Sequence, residues 1–474
     1  MVTTRQPRII QGGMGIAVSS WPLARAVSVT GQLGVVSGTA LDTVLARRLQ
    51  DGDPEGDSRR AMAAFPIPWA AAEVLDRFFR VRGRAASERY APASRPSLNP
   101  DLRTQRLLIL ASFVEVWLAK ENHRGSVGIN YLEKIQMSTP YAVYGAMLAD
   151  VDVVLMGAGI PAHIPRLLND LATHTATELA VDVEGAGPGQ AYAVRFDPRE
   201  ALGADLPPVH RPTFLAIVAS HVLAAYLARD EATRPDGFIV EGPTAGGHNA
   251  PPRGALTVDD LGQPVYGQRD VVDTSKLAAL DLPFWLAGSY GTPENLRVAE
   301  SLGACGVQVG TLFAMCRESG LTPALREQML TLLGRGELHN HTDAHASPTG
   351  FPFKVASLPG TLSDPAVRRR RQQLCDLGHL RTPFIKLDGA VDYRCPAEPA
   401  AMYARKGGDP ESSEGRVCLC NALSASVGLG QTAMDGSPEP AIVTLGDDLV
   451  GASALLAAHP DGWSAQQAVT WLLN

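Results

Sequence analysis

The sequence predicts an α/β fold, namely a TIM (β/α)8 barrel with a helical insertion and a C-terminal extension. Short apolar runs alternate with helical patterns from residue 8 to about residue 315, which is the βαβ rhythm of a parallel sheet. Roughly eight such units can be counted, which favours a closed barrel over the alternative, a doubly wound sheet. The predicted strands end repeatedly in glycine-rich or polar clusters. In a barrel these ends share one face, where active sites are built.

Composition excludes several classes of protein. The 474 residues are 45% hydrophobic and 19% charged, which is too apolar for a disordered chain. The formal net charge of −7 argues against a nucleic-acid partner. The N-terminus lacks a secretory signal, and the longest apolar stretches, 107–119 and 214–228, fall short of the ~20 residues of a membrane helix. Six cysteines are too few for a disulfide scaffold, so we expect a cytoplasmic protein without a membrane partner.

The first unit begins with the strand and glycine-rich turn PRIIQGGMG (7–15). A helix follows, with Ser20 as its candidate cap and Pro22 in its first turn. LGVVSGT (33–39) predicts the second strand. Residues 43–120 then interrupt the alternation with charged, helical and proline-rich patterns, and we interpret this segment as an insertion or lid.

The alternation resumes after Arg124. The predicted strands are SVGINYL, VDVVLMGAG, AYAVRF, FLAIVAS, GFIVEG, LPFWLAG and GVQVGT. Residues 1–355 are therefore predicted to be the barrel domain, with its insertion at about 43–120. Residues 356–474 hold four of the six cysteines and end in a helix-like apolar tail, so we expect them to form an extension packed on the barrel or a small second domain.

The segment EGPTAGGHNAPPRG (241–254) is the strongest local motif. Gly246 and Gly247 carry no side chains, so backbone N–H groups can approach a ligand closely. His248 projects from a predicted strand end, where a neutral imidazole can accept a proton or hydrogen-bond a developing anion. The alternative is a histidine with a purely structural role.

LAGSYG (286–291) and CGVQVGT (305–311) follow as the predicted seventh and eighth strand ends. Barrels commonly hold a phosphate at this place, using glycine N–H groups and a helix N-terminus. The pair therefore predicts a phosphorylated cofactor.

The C-terminal region offers three further candidates. Its cysteines, spaced C-x19-C-x22-C-x-C, are Cys375, Cys395, Cys418 and Cys420. Four thiolates suit Zn²⁺ or an iron–sulfur cluster, and the alternative is four buried or idle thiols. The basic run 368–371 is either a solvated helix face or a docking site for an anionic substrate or carrier. Lys354, just before this region, is either a partner for an anionic substrate or a solvated lysine.

Six motifs together carry a family resemblance. IIQGGMG, LGVVSGT, GIN, AGGH, AGSYG and GVQVGT, in this order, resemble the nitronate monooxygenase (2-nitropropane dioxygenase-like) family of FMN-dependent barrels. The flavin-dependent enoyl-acyl-carrier-protein reductases are similar to these. The resemblance covers roughly residues 8–320 apart from the insertion. The turn continues as HNAPPR after Gly247, where the family has a shorter His-X-Gly, and Ser289 stands where the family often has glycine.

The resemblance implies FMN as the cofactor and assigns its contacts. The implied FMN-binding residues are Gly12, Gly13, Met14 and Asn130 at the ring, Gly246 and Gly247 in the glycine turn, and Gly288, Ser289, Gly291, Gln308, Gly310 and Thr311 at the phosphate end. A hydroxyl at Ser289 could also donate to the phosphate. His248 is the implied catalytic residue, close to the reactive edge of the flavin.

The implied activity is oxidation of a nitronate or nitroalkane with O2 to a carbonyl compound and nitrite. His248 would then stabilise the anionic substrate or take a proton from the neutral nitroalkane. The alternative is an FMN- and NAD(P)H-dependent enoyl-thioester reductase of fatty-acid or polyketide biosynthesis, whose substrate would arrive on an acyl-carrier protein or coenzyme A. A non-redox barrel that binds a phosphorylated small molecule would use the same glycines, and it would be colourless.

Overall fold

The structure is a computed structural model, and it describes residues 6–474. The strands are β1 (Ile9–Gln11), β2 (Gly34–Ser37), β3 (Val127–Leu132), β4 (Val153–Gly157), β5 (Thr177–Ala180), β6 (Ala193–Phe196), β7 (Thr213–Val218), β8 (Gly237–Glu241), β9 (Phe284–Ala287), β10 (Gly306–Val309), β11 (Asn340–Asp343), β12 (Phe353–Ala356), β13 (Thr382–Ile385) and β14 (Val391–Arg394).

The helices before the C-terminal region are α1 (Trp21–Ser28), α2 (Leu41–Gln50), α3 (Asp57–Ala63), α4 (Pro68–Phe78), α5 (Leu102–Lys120), α6 (Thr139–Leu148), α7 (Ile164–Ala172), α8 (Pro198–Leu202), α9 (His221–Ala228), α10 (Thr274–Ala278), α11 (Pro293–Ser301), α12 (Thr311–Ala314) and α13 (Pro323–Gly334). Those that follow are α14 (Pro365–Arg370), α15 (Ala400–Arg405), α16 (Leu419–Ser426), α17 (Val450–Ala458) and α18 (Ala465–Leu473).

Eight strands form a parallel barrel in the order β1-β10-β9-β8-β7-β4-β3-β2. The sheet closes at Leu33, just before β2. The Gln11 N–H donates to the Leu33 carbonyl at 3.0 Å, and the Leu33 N–H donates to the Ile9 carbonyl at 3.1 Å. A doubly wound sheet has two open edges, whereas here the first and second strands meet. The predicted TIM barrel is therefore confirmed.

The strands alternate between two hydrophobic layers, as a barrel requires. Ile10, Val35 and Ile239 belong to a compact cluster that fills the barrel interior, together with Trp285. Neighbours such as Ile9 point outward and pack against the helices. Because both faces are covered, the strands are continuous apolar runs.

Residues 43–120 contain most of α2, the helices from α3 to α5 and an irregular stretch between α4 and α5. α5, which ends this segment, packs against α1 and α6 in the outer helix layer, between β2 and β3 in the chain. Its buried Glu115 accepts from the Trp21 N–H at 2.8 Å and pairs with Arg48 at 2.7 Å. No described residue of 43–120 lines the cavity at the barrel mouth.

One predicted barrel strand is wrong. AYAVRF contains β6, which pairs antiparallel with β5 in a separate hairpin outside the barrel. In this hairpin buried Val194 and Phe196 flank exposed Arg195. That alternation is typical of a strand with one solvated face, and it distinguishes β6 from the apolar barrel strands.

The C-terminal region packs on the barrel and reaches its mouth. The Trp463 indole N–H, fully buried, donates to the Leu312 carbonyl at 2.9 Å. Leu419 and Leu423 of α16 line the cavity at the carboxyl ends of the strands, as does the segment 444–446. None of the helices within residues 6–474 combines the length and apolar character needed to cross a membrane.

Candidate functional site

A cavity lies at the carboxyl ends of the barrel strands, and His248 and every predicted FMN-binding residue line it. These residues are Gly12, Gly13, Met14, Asn130, Gly246, Gly247, His248, Gly288, Ser289, Gly291, Gln308, Gly310 and Thr311. They come from the ends of β1, β3, β8, β9 and β10. The barrel topology thus brings together motifs that are far apart in the chain.

The turn after β1 is held by a buried polar network. The Gln11 side chain accepts from the Val35 N–H at 2.9 Å and contacts the Ser19 hydroxyl at 2.8 Å. Ser19 Oγ in turn donates to the Gly12 carbonyl at 2.8 Å and accepts from the Met14 N–H at 2.9 Å. These hydrogen bonds hold the turn after β1, which carries the first predicted cofactor contacts, in one conformation.

Two buried amide oxygens at the cavity have no hydrogen-bond partner among the described residues, Oδ1 of Asn130 and Oε1 of Gln308. Asn130 Nδ2 donates to the Gly13 carbonyl at 3.3 Å, which orients the amide. A buried acceptor without a donor costs about 1–3 kcal/mol. Both oxygens therefore suit a ligand that brings polar N–H or O–H donors, as the ring and ribityl chain of FMN do.

The glycine turn after β8 is clamped by the C-terminal region. Gly247 has φ of +83°, a conformation that favours glycine. Its N–H donates to Thr444 Oγ1 at 2.7 Å, and its carbonyl accepts from the Lys354 N–H at 2.9 Å. A Cβ on Gly246 would lie 2.9 Å from the Leu445 carbonyl carbon, so the absence of a side chain permits this close approach.

His248 is oriented by two contacts. Its Nε2 lies 2.7 Å from Ser347 Oγ. Its ring meets the Phe353 ring edge-to-face at a centroid distance of 4.9 Å. Removal from bulk water lowers the pKa of His248 to about 4. The imidazole is therefore neutral at neutral pH.

The predicted phosphate end combines tight turns with a helix N-terminus. Gly288 and Ser289 have φ of +89° and +60°. The Ser289 hydroxyl donates to Thr244 Oγ1 at 2.9 Å, so its hydroxyl hydrogen is directed to a protein acceptor rather than to a ligand. Thr292 caps α11 by accepting from the Asn295 N–H at 3.1 Å. Helix N-termini of this kind attract anions.

Sequence reasoning missed Glu241, the last residue of β8, which also lines the cavity. Burial raises the pKa of Glu241 to about 7. The sequence did carry a signal, because Glu241 is the one charged residue of the apolar strand GFIVE. The C-terminal wall of the cavity, formed by Leu419, Leu423 and residues 444–446, was missed as well, because no local sequence pattern predicts it.

No metal site is found at the four C-terminal cysteines in the part of the chain that the structure describes. Cys395, Cys418 and Cys420 are buried in one cluster, yet no group of three or more His, Cys, Asp or Glu side chains within residues 6–474 is placed to hold a metal ion. Arg371 lies beside the cluster, and its Nε donates to Glu439 Oε1 at 2.7 Å. Burial raises the pKa of Cys375 to about 11. The predicted Zn²⁺ or iron–sulfur site is thus not supported, and the alternative of buried thiols fits.

Lys354 and the basic run have protein partners. Lys354 is 1% exposed, and its Nζ pairs with Asp447 Oδ2 at 2.7 Å. It ties β12 to the C-terminal region and does not line the cavity. Arg371 pairs with Glu439 at 2.6 Å, and Arg368 with Asp343 at 3.4 Å.

Residues 206–335 match the sequence model of the nitronate monooxygenase family. The matched segment contains β7 to β10, the glycine turn with His248, and the predicted phosphate end. Over these residues the match agrees with the resemblance predicted from the motifs. No curated protein matches the chain significantly.

Several solved structures are distantly similar to the chain. FabK from Thermotoga maritima is 17% identical with a TM-score of 0.47, over 99% of this chain and 92% of that one. A nitroalkane oxidase from Streptomyces ansochromogenes is 15% identical with a TM-score of 0.46, over 98% and 94%. The enoyl reductase domain of MlnA from Bacillus amyloliquefaciens is 12% identical with a TM-score of 0.46, over 98% and 95%. Similarities this distant carry no weight for function.

Proposed function

We propose that this chain is an FMN-dependent oxidoreductase that oxidises a nitronate or nitroalkane with O2 to a carbonyl compound and nitrite. One observation carries the proposal. All the residues that the motifs assigned to FMN line a single cavity, and two of them, Asn130 and Gln308, present buried amide oxygens without a protein donor. The family match over residues 206–335 supports the same class of enzyme.

The two ends of the cavity suit the two ends of FMN. Gly12, Gly13, Met14 and Asn130 would hold the ring, and the glycines after β9 and β10 would hold the phosphate. When bound, FMN would supply two-electron redox chemistry. The protein's part is to position the substrate, exclude water and handle protons.

His248 is placed to orient the substrate. Its ring is neutral and held by Ser347 and Phe353, so it can hydrogen-bond a nitro or nitronate oxygen without adding charge. An imidazole with a pKa of about 4 is a weak base at neutral pH. We therefore assign His248 to substrate orientation rather than to proton abstraction.

The first test is the ultraviolet–visible spectrum of the purified protein before and after denaturation. Released FMN, followed by oxygen consumption and nitrite formation with a nitroalkane or its nitronate, is the expected result. A colourless protein that cannot be reconstituted with FMN would overturn the proposal and favour a non-redox barrel that binds a phosphorylated small molecule.

The apolar wall of the cavity favours a second candidate, the NAD(P)H-dependent reduction of an enoyl thioester. Leu380, Leu419, Leu423 and Leu445 of the C-terminal region line the cavity, and such a wall could accommodate an acyl chain. This candidate predicts anaerobic NAD(P)H oxidation that requires an enoyl thioester. Offering the thioester on coenzyme A and on an acyl-carrier protein would show which carrier is used.

A further inference from the structure

A second, smaller pocket lies beside the cavity, lined by residues that follow β7 and β8. We call it the side pocket. It is lined by Ala219, Ser220, Leu223, Glu241, Gly242, Pro243, Asn249, Ala250, Pro251, Arg253, Tyr266 and Asp270. Glu241 is the only described residue that lines both the cavity and the side pocket.

The Glu241 carboxyl group is unpaired among the described residues, since no hydrogen bond or ion pair joins it to another group. The adjacent strands bring no charge to it, because its ladder partner on β9 is Ala287, and Val218 ends β7 beside Val240. Burial is accordingly the cause of its raised pKa.

Other titratable groups face Glu241 only across the two pockets. On the cavity side they are Tyr131, His248, Tyr290, His379, Cys420 and Asp448. On the side-pocket side they are Arg253, Tyr266 and Asp270. The Asp270 carboxylate already accepts from the Arg253 and Gly267 backbone N–H groups at 2.9 and 2.8 Å. This leaves Glu241 as the unpaired carboxyl group between the pockets.

The side pocket has the polar lining that ordered water requires. Asn249 is 1% exposed and its Oδ1 has no partner among the described residues. Its Nδ2 donates to the Ala245 carbonyl at 2.9 Å, which fixes the orientation of the amide. Buried water typically makes two to four hydrogen bonds to groups of this kind, so protons can leave a carboxyl group here through water.

We propose that Glu241 is the catalytic base for neutral nitroalkanes and that it exchanges its proton with water through the side pocket. The inference deepens, and rests on, the proposed function. The carboxylate takes the proton from the carbon next to the nitro group. That C–H bond breaks, an O–H bond forms on Glu241, and the electron pair moves into the nitro group to give the nitronate. The proton then passes to water in the side pocket, which restores the carboxylate.

Glu241 suits this role better than His248 does. A base works best when its pKa lies near the operating pH. The pKa of Glu241 is about 7, whereas that of His248 is about 4. The two residues therefore have different roles. Glu241 removes the proton from the nitroalkane, and His248 orients the substrate.

The test compares a neutral nitroalkane with its preformed nitronate, from which the proton has already been removed. In the FMN-loaded protein, Glu241→Gln is expected to lower kcat/KM for the nitroalkane about 10²- to 10⁴-fold, the usual contribution of a general base. kcat/KM for the nitronate should change less than about threefold, because its oxidation needs no base. The wild-type nitroalkane rate should rise with pH through about 7, and the variant should lose this rise.

A second readout does not depend on turnover. The infrared absorption of protonated carboxyl groups should titrate near pH 7 in the wild-type protein, with contributions from Glu241 and from Glu439, whose pKa burial also raises to about 7. The Glu241 contribution should be missing from Glu241→Gln. Glu178→Gln, a change at an exposed carboxylate on β5, serves as the matched control and should retain both the absorption and the rates. Circular dichroism and FMN affinity check folding, and Glu241→Ala replaces Glu241→Gln if the latter misfolds.

The outcomes separate the two claims. Equal loss with nitroalkane and nitronate, unchanged nitroalkane kinetics, or no carboxyl band lost from the variant would overturn the role of Glu241 and leave the proposed function intact. A wild-type protein that oxidises neither substrate would overturn the proposed function and this inference with it.

Discussion

Gly13 and Asn130 approach each other so closely that a Cβ on residue 13 would lie 2.3 Å from the Asn130 Cβ. The contact joins the turn after β1 to the end of β3, and the Asn130 amide donates across it to the Gly13 carbonyl at 3.3 Å. Two strand ends that are separated by 117 residues are thereby locked into one wall of the cavity. The absence of a side chain at residue 13 decides where Asn130 can point.

Gly13→Ala is therefore expected to displace Asn130 and weaken FMN binding at least tenfold. Overpacking of this kind also costs about 1–3 kcal/mol of folding stability. FMN affinity can be measured by the quenching of flavin fluorescence. Gly267→Ala is the control, because Gly267 has φ of −123° and a Cβ there would meet nothing within 4 Å. Equal affinity in both variants would remove this contact from the cofactor site.

His248→Ala is expected to lower kcat/KM about 10- to 1,000-fold, in the range of a lost transition-state hydrogen bond, while FMN remains bound. Since burial holds the pKa of His248 at about 4, the ring stays neutral across the pH range 6–9. The ratio of wild-type to variant activity should therefore be constant across that range. A ratio that changes near pH 6.5 would show a titrating His248 and contradict the assignment.

Glu241→Gln is expected to stabilise the protein at high pH. A glutamate whose pKa is raised from 4.5 to about 7 in the folded state is more readily ionised when unfolded, so it destabilises the fold as pH rises above 4.5. Removing the Glu241 carboxyl group should increase the unfolding free energy by about 2 kcal/mol at pH 8. This is less than the pKa shift alone would give, because solvent in the cavity screens the charge. At pH 4 both states are protonated and the gain should vanish.

Urea denaturation of the FMN-free wild-type and variant proteins at the two pH values measures this difference. Glu178→Gln should show no such dependence, since its side chain is 57% exposed. A variant that is both more stable and less active would identify Glu241 as a residue kept for function at a cost in stability. An unchanged or lower stability at pH 8 would contradict the raised pKa.

The barrel and much of the candidate cavity could be predicted from the sequence, because both depend on local patterns. Strand periodicity and glycine-rich ends place Gly12 and Gly310 at the same face without any knowledge of distant contacts. The sequence does not separate the hairpin strand β6 from the barrel strands, because a short apolar run is ambiguous until its solvated face is recognised. The C-terminal wall could not be predicted at all, since the hydrogen bond from Gly247 to Thr444 spans 197 residues and leaves no periodic trace.

The cysteine cluster also depends on contacts between distant residues that the sequence does not show. Its members do come together around Cys418, as a metal site would require, but the sequence did not reveal that Arg371 and Glu439 pair beside them at 2.6 Å, with both side chains 5% exposed. A guanidinium at this position supplies the positive charge that a metal ion would otherwise bring. The spacing of the cysteines along the chain cannot distinguish a cluster beside an arginine from a cluster that holds a metal ion.

The same pair gives a final prediction about the C-terminal region. Arg371→Met leaves the Glu439 carboxylate buried without its partner, which is expected to cost about 3–5 kcal/mol of folding stability. The double change Arg371→Met with Glu439→Gln should recover much of this loss, because no uncompensated charge remains. Arg370→Met, at an exposed position on α14, is the control and should change stability by less than about 0.5 kcal/mol. Thermal and urea unfolding of the four proteins measure these differences. A double variant no more stable than Arg371→Met alone would mean that Arg371 stabilises the cluster through Cys418 rather than through Glu439.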